Sequence, residues 1–198
     1  YWSSLGTNTV GAQPLQVAAG MNYQYENASN DGWNISLANS LNKTHIDAGR
    51  GIERYLIGSD AFYARLTFSI ADVSNTDDTF FGFRKVQAPV AIDSYTDVAS
   101  IGIITSANPA AQQICTALNN AAMTETDTTD TLADGVVTTW EVYVSSAGVV
   151  TYKIDGAAPS TVATFTFDSG DYVTPFMHML GGGAHGAVTL ISLDHGRQ

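Results

Sequence analysis

Trp140-Glu-Val-Tyr-Val-Ser-Ser-Ala-Gly-Val-Val-Thr-Tyr-Lys-Ile-Asp-Gly156 is the stretch that decides the fold. Residues that favour the core alternate with more polar ones on both sides of its middle, which places each set on one face of a pleated strand. Ser146-Ala-Gly148 lies between the two halves and supplies a glycine for a tight turn. Asp155-Gly156 is a second turn signal at the end. The stretch therefore predicts a β-hairpin.

The same alternation recurs along much of the chain, at intervals of roughly ten residues. Gly, Asp, Asn and Pro separate the alternating segments, which is typical of a sandwich or barrel. No window carries a convincing amphipathic helix. We therefore predict an all-β fold, a two-sheet antiparallel β-sandwich of jelly-roll type. Besides the hairpin, the predicted strands are Ala61–Ile70, Thr79–Val86, Ala99–Thr105, Gln113–Leu118, Val162–Phe167, Tyr172–Leu180 and Ala187–Leu193.

The chain divides into two predicted parts. Residues 1–20 carry neither strand nor helix pattern and are expected to form an extended N-terminal arm. Residues 21–198 are expected to form a single sandwich domain with one core, in which each large apolar side chain contributes roughly 1.5–3 kcal/mol. The residues predicted to face inward are Phe62, Leu66, Phe68, Phe81, Phe83, Trp140, Val142, Val144, Val150, Tyr152 and Ile154.

Composition excludes several classes of partner. Lys and Arg total 8 against 19 Asp and Glu, which gives a formal net charge of −11 in 198 residues. Such a surface repels the phosphates of nucleic acids and anionic lipid headgroups. No apolar run has the length needed to span a bilayer. Nucleic acid and membrane are therefore not expected as partners, and the acidity indicates either ordinary solvation or a partner with a basic face.

The sequence contains residues that bind nucleotides or zinc, or act as nucleophiles, in other proteins, but their arrangement in this chain predicts none of these roles. Gly181-Gly-Gly-Ala-His-Gly186 matches a dinucleotide-binding pattern, but a predicted strand follows it where a helix is required. His178, His185 and His195 lack the usual spacing of zinc ligands. Cys115 has no neighbouring His or base and is expected to be a small buried residue.

Carboxylates also lack a catalytic arrangement in the sequence. Acidic pairs such as Asp127 with Asp130, and Asp168 with Asp171, are expected in loops of the kind that bind calcium in other sandwiches. Glu141 lies alone on its strand, whereas glycoside hydrolysis needs two facing carboxylates. We predict no catalytic residue, no cofactor and no metal ligand, and hence no enzymatic activity.

Three segments of the chain together resemble a known type of jelly roll. Phe62–Ile70, Phe80–Lys85 and the Trp140–Gly156 hairpin together are similar to a concanavalin A-like, LamG-type jelly roll. More narrowly, roughly residues 50–198 resemble virion structural proteins of tailed bacteriophages. That second resemblance is carried by Phe81–Lys85, Ile92–Asp97, Leu118–Ala122, Thr124–Thr131 and Phe167–Phe176.

The resemblance implies a non-enzymatic capsid decoration or head-surface protein, located on the virion, that binds the major capsid protein or sister subunits as a homo-oligomer. The arm is the expected anchor, because its apolar residues would be costly to leave in water. The alternative is a carbohydrate-binding, lectin-like module that uses one sheet and its surface aromatics, with a glycan as partner. The residues predicted to contact a partner are Tyr1, Trp2, Leu5, Val10 and Leu15.

Overall fold

The computed structural model of this chain describes residues 21–26, 32–37, 54–76, 78–87, 92–104, 110–179 and 188–198. These residues form twelve strands and two short 3-10 turns, at Val73–Asn75 and Ile92–Ser94. The strands are β1 Met21–Glu26, β2 Gly32–Leu37, β3 Tyr55–Leu56, β4 Phe62–Ile70, β5 Thr79–Lys85, β6 Val98–Ile103, β7 Ala111–Ala117, β8 Thr124–Thr131, β9 Val137–Val144, β10 Val150–Ile154, β11 Tyr172–Met179 and β12 Val188–Arg197.

The strands form two antiparallel sheets of six strands each. Sheet I has the order β1-β2-β12-β4-β9-β10, and sheet II has the order β3-β11-β5-β6-β7-β8. The predicted hairpin is β9 and β10, with Val150 opposite Val144. Its turn uses Gly148 at a φ of +83°, a left-handed conformation that favours glycine. The predicted two-sheet antiparallel sandwich is therefore confirmed.

The main core lies between the two sheets. Ten of the eleven residues predicted to face inward are buried there, and Ile154 is half-buried and packs against them. Trp140 sits near the middle, where its indole Nε1 donates a hydrogen bond of 2.6 Å to Oε1 of Gln112 on the opposite sheet. This bond joins β9 of sheet I to β7 of sheet II through the apolar interior.

A second apolar cluster covers the outer face of sheet II. Phe80, Cys115 and Phe176 belong to it, together with Ile92 and Tyr95 from the connection between β5 and β6. Cys115 is buried as predicted, but in this outer cluster rather than between the sheets. Burial raises the pKa of its thiol well above the ordinary value, which keeps it protonated and unreactive.

One strand predicted from the sequence is not a strand in the structure, and four strands of the structure were not predicted. Val162–Phe167 is not a strand; it runs along the side of the sandwich, and only Thr166 forms a bridge, to Val149. Asp127 and Asp130 lie on strand β8 rather than in a loop, because the β-branched threonines around them favour extended backbone. Strands β1, β2 and β3 were not predicted either.

The edges of both sheets on one side are covered by the segment 157–167. The carbonyl of Phe165 accepts from the amide of Val150 on β10 at 3.0 Å, and the amide of Thr161 donates to Thr128 on β8 at 2.9 Å. Pairing in this way satisfies backbone groups that an open edge would leave for another chain. The sequence of this segment alternates like a strand, but its bonds go to two different sheets.

Candidate functional site

The outer face of sheet I collects the polar side chains of its central strands. Along β4, buried residues alternate with half-buried ones, so Tyr63, Arg65 and Thr67 point away from the core. The register pairs Tyr63 with Tyr143 and Arg65 with Glu141 on β9. The two tyrosine rings stack with centroids 6.0 Å apart and an interplanar angle of 30°.

A row of alternating charge crosses this face. Asp194 of β12 is paired with Arg65 of β4, Arg65 with Glu141 of β9, and Glu141 with Lys153 of β10. Neighbouring strands lie about 4.8 Å apart, so the four groups fall within about 15 Å. We call the surface formed by these four residues with Tyr63 and Tyr143 the tyrosine platform.

Glu141 is the hydrogen-bonding centre of the platform. Its Oε2 accepts from Arg65 Nε at 3.1 Å and pairs with Arg65 Nη2 at 3.0 Å. The hydroxyl of Tyr143 donates to the same oxygen. The Glu141 side chain is only 7% exposed beneath these neighbours, while that of Arg65 is 43% exposed. The carboxylate is therefore fixed, and the guanidinium presents one side to solvent.

The ionisation of the platform follows from these contacts. Burial acts to raise the pKa of Glu141, but hydrogen bonds from Tyr143 and Arg65 outweigh it and hold the pKa below its ordinary value. The hydrogen bond to Tyr143 raises the pKa of Arg65. Tyr63 donates to Asp194 Oδ2 at 2.8 Å, and this bond raises the pKa of the phenol. The lowered pKa of Glu141 favours its carboxylate form, and the raised pKa of Tyr63 favours its protonated phenol.

The rings are also flanked by the cations. Lys153 Nζ lies 5.1 Å from the centroid of the Tyr143 ring, and the guanidinium carbon of Arg65 lies 5.8 Å from that of Tyr63. Such contacts each stabilise an exposed arrangement by about 0.5–1 kcal/mol. One step further along the sheet, the hydroxyls of Thr67 and Thr139 share a hydrogen bond of 3.1 Å.

The acidic loops do not converge on a metal site in the described parts of the chain. No group of three or more His, Cys, Asp and Glu side chains there could hold a metal ion. At one end of the sandwich, Lys85 Nζ lies 3.1 Å from Asp97 Oδ2 and 2.8 Å from Asp171 Oδ1. The hydrogen bond to Asp171 raises the pKa of Lys85, and a lysine ammonium thus offsets part of the negative charge of this acidic cluster.

Two of the three histidines considered in the sequence, His178 and His195, lie on different sheets. His178 is buried on β11 of sheet II, with its ring centroid 6.2 Å from that of Phe80. His195 lies on β12 of sheet I and shares a hydrogen bond of 2.9 Å between its Nδ1 and the hydroxyl of Tyr55. His185 and the glycine-rich segment 181–186 lie outside the described residues, as do the predicted arm and its contact residues.

The platform contains residues that the sequence placed outward but did not combine. The alternation predicted for Ala61–Ile70 and for the hairpin places these residues on the faces opposite the predicted core residues: Tyr63, Arg65, Glu141 and Tyr143. Their meeting depends on the pairing of β4 with β9, which no local pattern reports. Asp194 was missed because its strand was predicted to end at Leu193, while β12 continues to Arg197.

A shallow depression lies apart from the platform, at the edge formed by β3. It is lined by residues such as Tyr55, Asp60 and Arg197, and has essentially no room for a water molecule. An ion pair between Arg197 and Asp60 closes one side of it. No helix in the described residues is long and apolar enough to cross a membrane.

Comparison with known proteins supports the fold. No family model and no curated protein sequence matches this chain. Among solved structures, it is similar to an alginate lyase from Pseudomonas aeruginosa, with a TM-score of 0.56, 12% identity, and coverage of 89% of this chain and 86% of the lyase. It is also similar to the carbohydrate-binding module CBM66 from Bacillus subtilis, with a TM-score of 0.54, 8% identity, and coverage of 89% and 94%.

A third similar structure is the carbohydrate recognition domain of Emp46p, with a TM-score of 0.59, 8% identity, and coverage of 91% of this chain and 87% of that domain. Identities this low show a common fold and no more. The chain has a concanavalin A-like jelly-roll fold. Proteins that share it include both carbohydrate-binding modules and enzymes.

Proposed function

We propose that this chain is a non-catalytic carbohydrate-binding module that holds a glycan on the tyrosine platform. The observation that carries the proposal is the platform itself: two stacked, half-buried tyrosines beside a row of four charged groups. Tyrosine offers an apolar ring and a polar edge, which suits a sugar with both C–H and hydroxyl surfaces. Carboxylates accept hydrogen bonds from hydroxyls, and Arg and Lys donate them. Two of the similar structures named above are carbohydrate-binding domains.

The ionisation of the platform favours binding over reaction. Hydrolysis of a glycoside needs a carboxylic acid that keeps its proton, but the pKa of Glu141 is held below the ordinary value. Elimination needs a base, and the hydrogen bond that Tyr63 donates to Asp194 raises the pKa of its phenol, which disfavours the phenolate form. The similarity to an alginate lyase therefore supports a shared fold, and the platform's groups support a binding role.

The test is a comparison of binding by matched tyrosine variants. Each of Tyr63→Ala and Tyr143→Ala is expected to weaken binding to an immobilised polysaccharide about tenfold, which corresponds to about 1.4 kcal/mol. Tyr172→Ala is the control, because Tyr172 is 51% exposed but lies on sheet II. Equal affinity of all three variants would place the glycan elsewhere, and turnover of the bound polysaccharide would contradict a non-catalytic role.

The virion assignment remains a prediction beside this proposal. It depends on the N-terminal arm and on contacts with a capsid protein or sister subunits, and residues 1–20 lie outside the described structure. A carbohydrate-binding module can also serve on a phage fibre, so the two are compatible. Co-purification of the protein with intact particles at a fixed stoichiometry would test the virion assignment directly.

A further inference from the structure

Of the two cations of the tyrosine platform, Arg65 is already hydrogen-bonded within the protein, and Lys153 lies against a tyrosine ring. Arg65 directs Nε and Nη2 to Glu141, and Nη2 also lies 3.4 Å from the hydroxyl of Tyr143. Lys153 stands opposite Glu141 in the register and lies against the ring of Tyr143. A guanidinium that binds a carboxylate or sulfate of a ligand normally does so with two parallel N–H donors. In Arg65 the Nε and Nη2 donors are directed to Glu141, so only the other side of the guanidinium is left for a ligand.

The charge around the platform also opposes an anionic ligand. Its row holds two carboxylates and two cations, so it has no net positive charge, and the whole chain carries −11. Asp194 is the exposed end of the row and accepts a hydrogen bond from Tyr63. A uronate or sulfated sugar seated there would meet a carboxylate in place of a cation. A sugar hydroxyl, by contrast, can donate to Asp194 without any charge penalty.

We infer that the platform, if it binds glycan as proposed above, takes neutral polysaccharides and rejects uronate-rich or sulfated ones. The ring faces of Tyr63 and Tyr143 then contact the sugar C–H surface. Asp194 accepts from hydroxyls, and Lys153 donates to them. This inference rests on the proposed function and adds the chemical class of the ligand.

The experiment is a titration of the full chain with two sets of soluble polysaccharides. The neutral set contains a β-glucan, a galactomannan and a fructan, and the anionic set contains a polyuronate and a sulfated galactan. Each titration is run at low and high salt, because screening weakens charge-driven binding and leaves hydroxyl recognition nearly unchanged. Asp194→Asn is compared with Asp93→Asn, which removes the same charge from an exposed turn beside sheet II.

We expect at least one neutral polymer to bind with salt-independent affinity, and Asp194→Asn to weaken it about tenfold while Asp93→Asn leaves it unchanged. Tighter binding of an anionic polymer, lost at high salt, would overturn the inference and leave the carbohydrate-binding function intact. Neutral binding that Asp194→Asn does not affect would also overturn it. If no polymer of either set binds, the result contradicts the proposed carbohydrate-binding function and therefore also this inference.

Discussion

The hydrogen bond between Trp140 and Gln112 gives a prediction about how the two sheets are held together. Both side chains are buried, and the indole Nε1 to Oε1 distance is 2.6 Å. Gln112→Met keeps a similar length but removes the acceptor, so the indole N–H is left unpaired in the core. An unpaired buried donor costs about 1–3 kcal/mol. For a domain of this size we expect the melting temperature to fall by about 2–4 °C for each kcal/mol.

A double-mutant cycle separates this bond from general packing. Trp140→Phe, Gln112→Met and the double variant are unfolded in urea, and the coupling free energy is taken from the four free energies of unfolding. Directly bonded residues give coupling energies of about 0.5–3 kcal/mol. The control cycle combines Trp140→Phe with Gln113→Met, because Gln113 lies next in the chain and faces the other side of sheet II. A coupling energy equal to that of the control would refute the reasoning.

Three further predictions concern ionisation, reactivity and close packing. Since the folded pKa of Glu141 lies below the ordinary glutamate value of 4.5, its contribution to stability is present above about that pH and lost as pH falls through the lowered folded pKa. Acid unfolding of Glu141→Gln should therefore show a smaller loss of stability in that range than the unmodified chain; an identical loss would contradict this. Cys115 should react with a thiol reagent only after denaturation, because burial raises its pKa, and rapid labelling of the native protein would be contrary to this. Gly82→Ala should destabilise the fold by about 1–3 kcal/mol, because its Cβ would lie 2.2 Å from the carbonyl oxygen of Ala99. Gly196→Ala, whose nearest contact would be 3.6 Å, should change the urea midpoint much less, and equal shifts would count against the packing argument.

The parts of the fold that the sequence predicted are those set by local chemistry. The β9–β10 hairpin was predicted together with both of its turns, and Asp155 and Gly156 indeed have positive φ angles of 50° and 82°. Alternation also identified the core, because a period of two assigns each side chain to a face without knowledge of the neighbouring strand. Strand β8 was not predicted, since its threonine- and aspartate-rich sequence lacks the apolar alternation of a typical strand.

The candidate site could not be predicted from the sequence in the same way. Tyr63 and Asp194 are 131 positions apart, and Arg65 and Glu141 are 76 apart, yet each pair is hydrogen-bonded. Sequence alternation gives the face on which a residue lies, but the order of strands in a sheet decides which residues share that face as neighbours. Glu141 therefore seemed isolated in the sequence and is the centre of a network in the structure.

The lysine at the end of the sandwich has a consequence for how this protein responds to its surroundings. Lys85 is the last residue of β5 and forms ion pairs with both Asp97 and Asp171. A bound divalent cation can be removed by a chelator or by dilution, whereas the ammonium of a lysine side chain cannot. Because this counter-charge is a side chain of the protein, we expect both ion pairs of Lys85 to persist when divalent ions are removed from the medium.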